Sequence, residues 1–365
     1  MKFTTTKDSI LNAVLTCERI TGKKESLPVL SCVVFDAGSQ LSVRATNLEA
    51  GVDISVAIEI SEKGMVAVPA SVLSQTLRSI MADKITFTTE DNNLLVESRG
   101  TKTLIKSVPH EEFPTLPAPG TGKAIKIERT GILRGLQAVS YAASPSMIRP
   151  DLGSVFLVVK NGVLTSVATD SFRLAEKTIA DTGAKLDGEL LIPLKHVLEL
   201  VHILERLGGD TVALSIEDAQ LTLVGDGTRF SSRVVDAQFP NYKEIIPKSS
   251  STEATVLKSD FAEMLRKARV FSGQDMHVGL HVYPKKKIFT ATARSNDVGE
   301  MSDSIDGALS GEDLDINFHI GYLADCLSSI DSDSIVLAFA GAGKPLVVHG
   351  ASDTSFRYLV MPLNR

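Results

Sequence analysis

The chain has 365 residues, 43% of them hydrophobic and 22% charged, with 44 acidic against 38 basic side chains and a formal net charge of −6. This composition is globular and long enough for several domains, and it excludes a protein that grips nucleic acid by bulk positive charge, although a local basic stripe stays open. Three cysteines without metal spacing (Cys17, Cys32, Cys326), no signal-like start and no apolar run near the ~20 residues of a membrane span lead us to expect buried thiols and a cytoplasmic protein.

In chain order, a short strand pattern at Met1–Thr4 leads into Lys7–Ile20, where Ile10, Ala13, Val14 and Cys17 recur at helical spacing and must face a core. Asn12, Thr16, Arg19 and Lys23 fall on or beside the other side. The strand-like word LSVRATNLEAG (Leu41–Gly51) follows, then a strand-to-helix segment, Val66–Ile80. The helix predicted over Ala70–Met81 buries Leu73, Thr76, Leu77 and Ile80 and turns out Ser71, Gln75 and Arg78. Two strand runs, KITFTTEDNNLLVESRG, and the segment Glu111–Pro117 close this stretch.

The same order then recurs twice. LTSVATDSFRLA (Leu164–Ala175) and FTATARSNDVG (Phe289–Gly299) repeat the first word, aligned on Thr46, Thr169 and Thr292 at a constant spacing of 123. Leu190–Leu204 and Ile316–Ile330 repeat the strand-to-helix segment, and TVALSIEDAQLTLVGDG and SIVLAFAGAGKPLVVHG repeat the strand pair. The closing runs Ala237–Pro247 and Phe356–Arg365 echo Glu111–Pro117. A period of this length is that of whole domains rather than of a solenoid, so three like α+β domains are expected over residues 1–120, 121–250 and 251–365. In the second, a helix over Leu194–Leu207 is predicted to bury Leu194, Val197, Leu198, Val201 and Leu204 and to expose Lys195, His202 and Arg206. In the third, Lys258–Ser272 exposes Arg266, Lys267 and Arg269. These outward cations read either as ordinary solvated faces or, because they recur in each repeat, as the lining of a common surface.

Motifs for chemistry are missing. The sequence contains no G-x-x-x-x-G-K-[ST], H-E-x-x-H, C-x-x-C or G-x-S-x-G, and His196 and His202, six apart on one helix, do not share a face as metal ligands would. Asp170 and Arg173 read as a structural ion pair rather than a catalytic one. No catalytic residue, metal or cofactor is expected.

MKFT, SLPVLSCVVF, VATDSFRLA, AQFPNYKEIIP and the closing YLVMPLNR, in this order and spacing, resemble the bacterial DNA polymerase III β subunits, the sliding-clamp family, along the whole chain. The resemblance implies three tandem copies of the clamp domain, each with two helices packed on β-sheets, forming half of a ring that a second, head-to-tail protomer completes. It implies a processivity factor: double-stranded DNA is encircled without regard to sequence, and the replicative polymerase, the clamp loader and other proteins dock through a short clamp-binding motif. Arg19, Lys23, Lys24, Arg78, Lys195, Arg206, Arg266 and Lys267 become the DNA-facing candidates, Lys24 foremost because it holds the family's basic loop position just before Leu27-Pro28.

The implied partner-peptide pocket falls on Arg149, Leu152, Thr169, Ser171, Phe172, Arg173, Leu174, Pro240, Ile245, Leu359, Met361 and Leu363, with His319 and Tyr322 at a shallower part. For Leu174 and Ile245 core packing is an alternative reading, and for Leu359-Val360-Met361 a last strand that closes a sheet, a role compatible with lining the pocket. Ser171-Phe172 stands where many members have Gly-His, Glu244 takes a place often basic, and the Asn364-Arg365 ending is unusual. The implied dimer contact sets the strand Thr101–Val108, with Leu104 or Ile105, against Val270 and Phe271, while Arg99, Lys102 or Lys106 meet Asp297, Glu300 or Asp303; Thr103 replaces a family aromatic. Rival readings are a protein scaffold that encircles no DNA and a monomeric binding protein.

Overall fold

The computed structural model describes residues 1–22, 27–116, 124–184, 187–217 and 219–363. Among these residues are six α-helices: α1 (Lys7–Ile20), α2 (Ala70–Ser79), α3 (Arg129–Val139), α4 (Leu194–Arg206), α5 (Lys258–Phe271) and α6 (Ile320–Asp325). The strands form four antiparallel sheets. The chain separates into two compact units, one of Met1–Thr130, Gly183–Leu186 and Lys195–Val234, the other of Gly131–Thr182, Asp187–Leu194 and Val235–Arg365.

In the first unit a five-stranded sheet runs from Ile60–Glu62 through Lys2–Thr6, Lys84–Glu90 and Asn93–Ser98 to Thr101–Ile105. Phe3 and Phe87 stack at 4.9 Å between ring centres and Phe35 meets both edge-on, a core that alternation along these strands dictates. The eight-stranded sheet runs Ile125–Glu128, Thr211–Glu217, Gln220–Gly225, Thr228–Arg233, Ala50–Val56, Leu41–Thr46, Cys32–Ala37 and Gly64–Pro69. Its middle is a join between distant stretches of chain, Ser231 opposite Gly51 and Ser232 opposite Ala50. The two backbones meet closely at Gly51, where a Cβ would lie 2.7 Å from Leu116 Cδ2 and 3.2 Å from Ser231 Oγ and would push these side chains aside.

The second unit repeats the device. Its nine-stranded sheet runs Gly188–Pro193, Ser154–Lys160, Val163–Thr169, Arg173–Ile179, Phe356–Val360, Leu346–Gly350, Ser334–Phe339, Thr252–Leu257 and Gly307–Gly311. Leu174 lies opposite Leu359 and Arg173 opposite Val360. A four-stranded sheet, Gly299–Ser304, Ile288–Ser295, His277–Tyr283 and Leu314–His319, packs under α5, where Phe261 stacks on Phe289.

The repeated words are hairpins, and the first two are alike down to their hydrogen bonds. The hydroxyl of Thr46 donates to the Ala50 carbonyl at 2.8 Å and accepts from the Leu48 N–H; that of Thr169 donates to the Arg173 carbonyl at 2.6 Å and accepts from the Ser171 N–H. Asn47 Oδ1 accepts from the N–H groups of Glu49 and Ala50, as Asp170 Oδ1 does from Phe172 and Arg173. Leu48 and Ser171 both take positive φ, 73° and 79°. The third hairpin corrects the alignment on Thr292. Its turn follows Ser295, whose Oγ accepts from the Asp297 N–H, while Thr292 sits inside the strand and its hydroxyl bonds His281 Nε2 at 2.8 Å. The strand continues three residues past the point that a constant period predicts.

Two helix faces differ from expectation. On α2, Ser74 is buried and Thr76 only half-buried, and the helix stops at Ser79, leaving Met81 exposed. On α4 the buried set is His196, Val197, Leu200, Ile203 and Leu204, with Leu198 exposed. The run LKHVLELVHIL holds more apolar residues than one helical face can cover. A hydrogen bond of 2.7 Å between His196 Nδ1 and Ser232 Oγ lets the imidazole enter the core, so the stripe takes a different phase. α3, which the sequence reading did not single out, buries Ile132, Leu136, Ala138 and Val139. All three cysteines are free and buried.

Candidate functional site

Arg173 organises the second unit's candidate pocket. The Asp170 side chain caps the turn, which fixes where the next strand starts and sends the Arg173 side chain across the sheet end. Its Nε donates to Asp170 Oδ2 at 2.9 Å, Nη1 to Asp325 Oδ2 and Nη2 to the Tyr141 carbonyl at 2.6 Å. The guanidinium lies 4.5 Å from the centre of the Tyr322 ring, which in turn sits 4.3 Å from the His319 ring. A planar cation with five donors is the one side chain that can hold a turn, a loop and a helix together in this way. His319 Nδ1 accepts from the Tyr322 N–H and caps α6; burial first, and then the neighbouring Arg173 charge, hold its pKa below the usual value.

Around this hub the structure gathers much of the predicted pocket. Leu174 and Leu359 are core, packed with Val167, Leu191, Phe239, Tyr242 and Val347. Thr169 and Leu152 are buried, Pro240 and Leu363 half-buried. The exposed apolar members of the predicted set are Phe172 (60%), Ile245 (56%) and Met361 (38%). Met361 N–H donates to the Phe172 carbonyl and Leu363 N–H to that of Asn317, which holds the end of the last strand in place. Ser171 is exposed in the turn, and Arg149 is turned to Asp151, Nη2 to Oδ2 2.6 Å, rather than toward Arg173. Glu244 accepts from Asn241 Nδ2 at 2.6 Å, so the acidic residue at this place has a partner in its own turn. Tyr141, Asp325 and Asn317 were missed by sequence reasoning; nothing local signals them, since Asp325 is 152 residues from Arg173.

The candidate DNA-facing cations divide into two sets. Arg19 on α1 pairs with Glu199 on α4 at 2.8 Å, Lys195 with Glu49, and Lys267 with Glu263 at 3.0 Å and Asp303 at 3.1 Å. Arg206 donates to the Nδ1 of His202 at 2.9 Å. Arg78 and Arg266 are exposed and make no ion pair with any described residue. Lys23 and Lys24 lie outside the described residues, as do Asn364 and Arg365.

The strand Thr101–Ile105 is the outer strand of its sheet, and Gly299–Ser304 is the outer strand of another. Leu104 and Val270 are exposed at 49% and 62%, whereas Ile105 faces inward and Phe271 is half-buried. Lys102 is paired with Glu97 at 2.6 Å; Asp297 and Glu300 are exposed.

Among the described residues no group of three His, Cys, Asp or Glu side chains is placed to hold a metal ion, and no helix is long and apolar enough to cross a membrane. Buried His196 and half-buried His202 carry a pH dependence instead. Burial first, and then Lys195, push His196 down to about 4; burial, Arg206 and Arg19 do the same to His202. A folded pKa below the unfolded value means that the neutral rings favour the folded state above about pH 6.5 and that this contribution is lost as pH falls toward 4. For His196 the loss between pH 7 and 4.5 is expected to be about 2 kcal/mol. Urea unfolding at the two pH values checks this: His196→Gln should lose less stability on acidification than the parent.

Three family models match the chain in succession: DNA polymerase III beta subunit, N-terminal domain, over residues 1–117; central domain, over 126–241; and C-terminal domain, over 243–364. The chain is 25% identical over 367 residues to the beta sliding clamp of Pseudomonas aeruginosa and 26% identical over 373 residues to that of Caulobacter vibrioides, with all of each protein covered. Its fold is similar to that of the Thermotoga maritima DNA polymerase III beta subunit, with a TM-score of 0.94 at 24% identity, covering 100% of this chain and 99% of the other. It is also similar to the Pseudomonas aeruginosa sliding clamp bound to griselimycin, with a TM-score of 0.93 at 25% identity over the full length of both.

Proposed function

The chain belongs to the DNA polymerase III beta-subunit family, and from that premise we propose that it is a sliding clamp, a DNA polymerase processivity factor. The observation that carries this is the succession of all three beta-subunit domains along one chain, in order and at nearly full length. In this reading residues 1–120, 121–250 and 251–365 are three clamp domains, and two protomers join head to tail through the outer strands Thr101–Ile105 and Gly299–Ser304. Pairing two open strand edges satisfies backbone groups that would otherwise invite aggregation.

Duplex DNA passes through the closed ring, held by topology rather than by tight contact, in the cytoplasm and without catalysis. Weak attraction between scattered cations and phosphates leaves the ring free to move, which suits a net acidic protein. The polymerase, the loader and other partners dock by placing apolar side chains against Phe172, Ile245 and Met361, above the Leu174–Leu359 core and beside Arg173, His319 and Tyr322. An apolar rim over a preformed base fits a short flexible segment.

Topology is the test. Protein loaded by a bacterial clamp loader onto nicked circular plasmid should co-elute with the DNA on gel filtration and be released when a restriction enzyme linearises it. Equal retention on circle and line would mean adhesion, and elution without DNA in both cases would mean a protein scaffold; either result overturns the reading.

A further inference from the structure

Cations that face DNA need their donors free to attract phosphate, yet four of the six described candidates are already engaged by carboxylates, Arg206 at 3.9 Å from its neighbour Glu205 and the other three more closely. The arrangement repeats with different parts. Arg19 on α1 is met by Glu199 from α4, a carboxylate more sheltered than the cation it holds. Lys195 on α4 is met by Glu49, from the Thr46–Ala50 turn, and its hydrogen bond holds the Glu49 carboxyl below the usual carboxylate range. In the other unit Lys267 on α5 is met from its own helix by Glu263 and from the Gly299–Ser304 strand by Asp303. All three cations remain about half exposed, so water and phosphate can reach them.

We propose that Glu49, Glu199 and the Glu263–Asp303 pair are positioning residues that regulate how strongly the ring's inner cations engage DNA. The inference rests on the sliding-clamp reading above. A phosphate approaching Arg19, Lys195 or Lys267 must displace a resident carboxylate. Exposed ion pairs of this kind are weak, so displacement occurs but is not favoured. Each cation therefore makes brief phosphate contacts and contributes less counterion release than a free one. Arg78 and Arg266, without a described ion-pair partner, supply the steady part of the attraction. The carboxylates keep the track slippery while leaving enough positive charge to centre the duplex.

The test uses the full-length protein and a fluorescein-labelled blunt duplex, followed by anisotropy across a salt series, with retention on nicked circles measured in parallel. The Glu49→Gln, Glu199→Gln, Glu263→Gln triple variant should bind the duplex about tenfold tighter, with a log–log salt slope steeper by about 2, since Asp303 still holds Lys267. Removing any negative charge raises affinity somewhat, so a double-mutant cycle isolates the mechanism: Glu199→Gln should gain affinity in the parent background and much less when Arg19 is already Met. Thermal melts and sedimentation confirm that the variants keep their fold and assembly. A triple variant with parental affinity overturns the inference, as does an equal gain in both Arg19 backgrounds. Failure of the parent itself to be retained on circles overturns the sliding-clamp reading instead.

Discussion

Replacing Arg173 by alanine is expected to cost about 3 kcal/mol of stability, because it strips partners from two carboxylates and a carbonyl at once. The guanidinium is only 12% exposed and bridges Asp170, Asp325 and Tyr141 while covering Tyr322. Alanine leaves Asp170 in a sheltered position with no counter-charge and releases α6 from the Thr169–Arg173 turn. Lysine keeps the charge but not the planar fork, and should recover less than half of the loss. Denaturant unfolding of the three proteins decides the matter: an alanine variant within experimental error of the parent would show that the hub contributes nothing to the fold.

On the head-to-tail assembly proposed above, with Val270 in the contact, Val270→Arg is expected to raise the dissociation constant of the dimer by about 100-fold or more, through lost apolar burial and a guanidinium forced into a contact without a partner. Val270 is 62% exposed near the end of α5, an unusual place for a β-branched apolar side chain that nothing covers. Sedimentation velocity over a concentration series reads the effect directly, and the same variant should be lost from circular DNA as rapidly as from linear DNA. A variant that sediments as the parent does would remove Val270 from the interface.

The elements legible in the sequence share a cause. The strand-to-helix segments appear as a strand Gly64–Pro69 into α2, a strand Gly188–Pro193 into α4 and a strand Leu314–His319 into α6, because period-2 and period-3.6 patterns meet there at a sharp boundary. The first two hairpins read alike because Thr-Asn and Thr-Asp supply the same side-chain acceptors to the same turn. Where the sequence misled, two solutions competed locally. Thr292 resembles Thr169 in its neighbours, but hairpin position is decided by where the strand pairing ends, at Ser295 opposite Gly299. The phase of α4 turned on a histidine whose partner, Ser232, is 36 residues away. The site divides the same way: Asp170 and Arg173 were readable as a pair from their spacing, whereas Tyr141 and Asp325 become their neighbours only through the tertiary fold.

The middle repeat lends its strands to both compact units, Thr228–Arg233 hydrogen-bonding to Ala50–Val56 in one and Arg173–Ile179 to Phe356–Val360 in the other. Severed from its neighbours, that segment would carry two raw margins, each with a row of amide and carbonyl groups seeking a mate. Evolution can therefore lengthen or trim the loops of such a molecule freely, but it cannot shuffle the repeats as separate beads, because every seam is itself a piece of sheet.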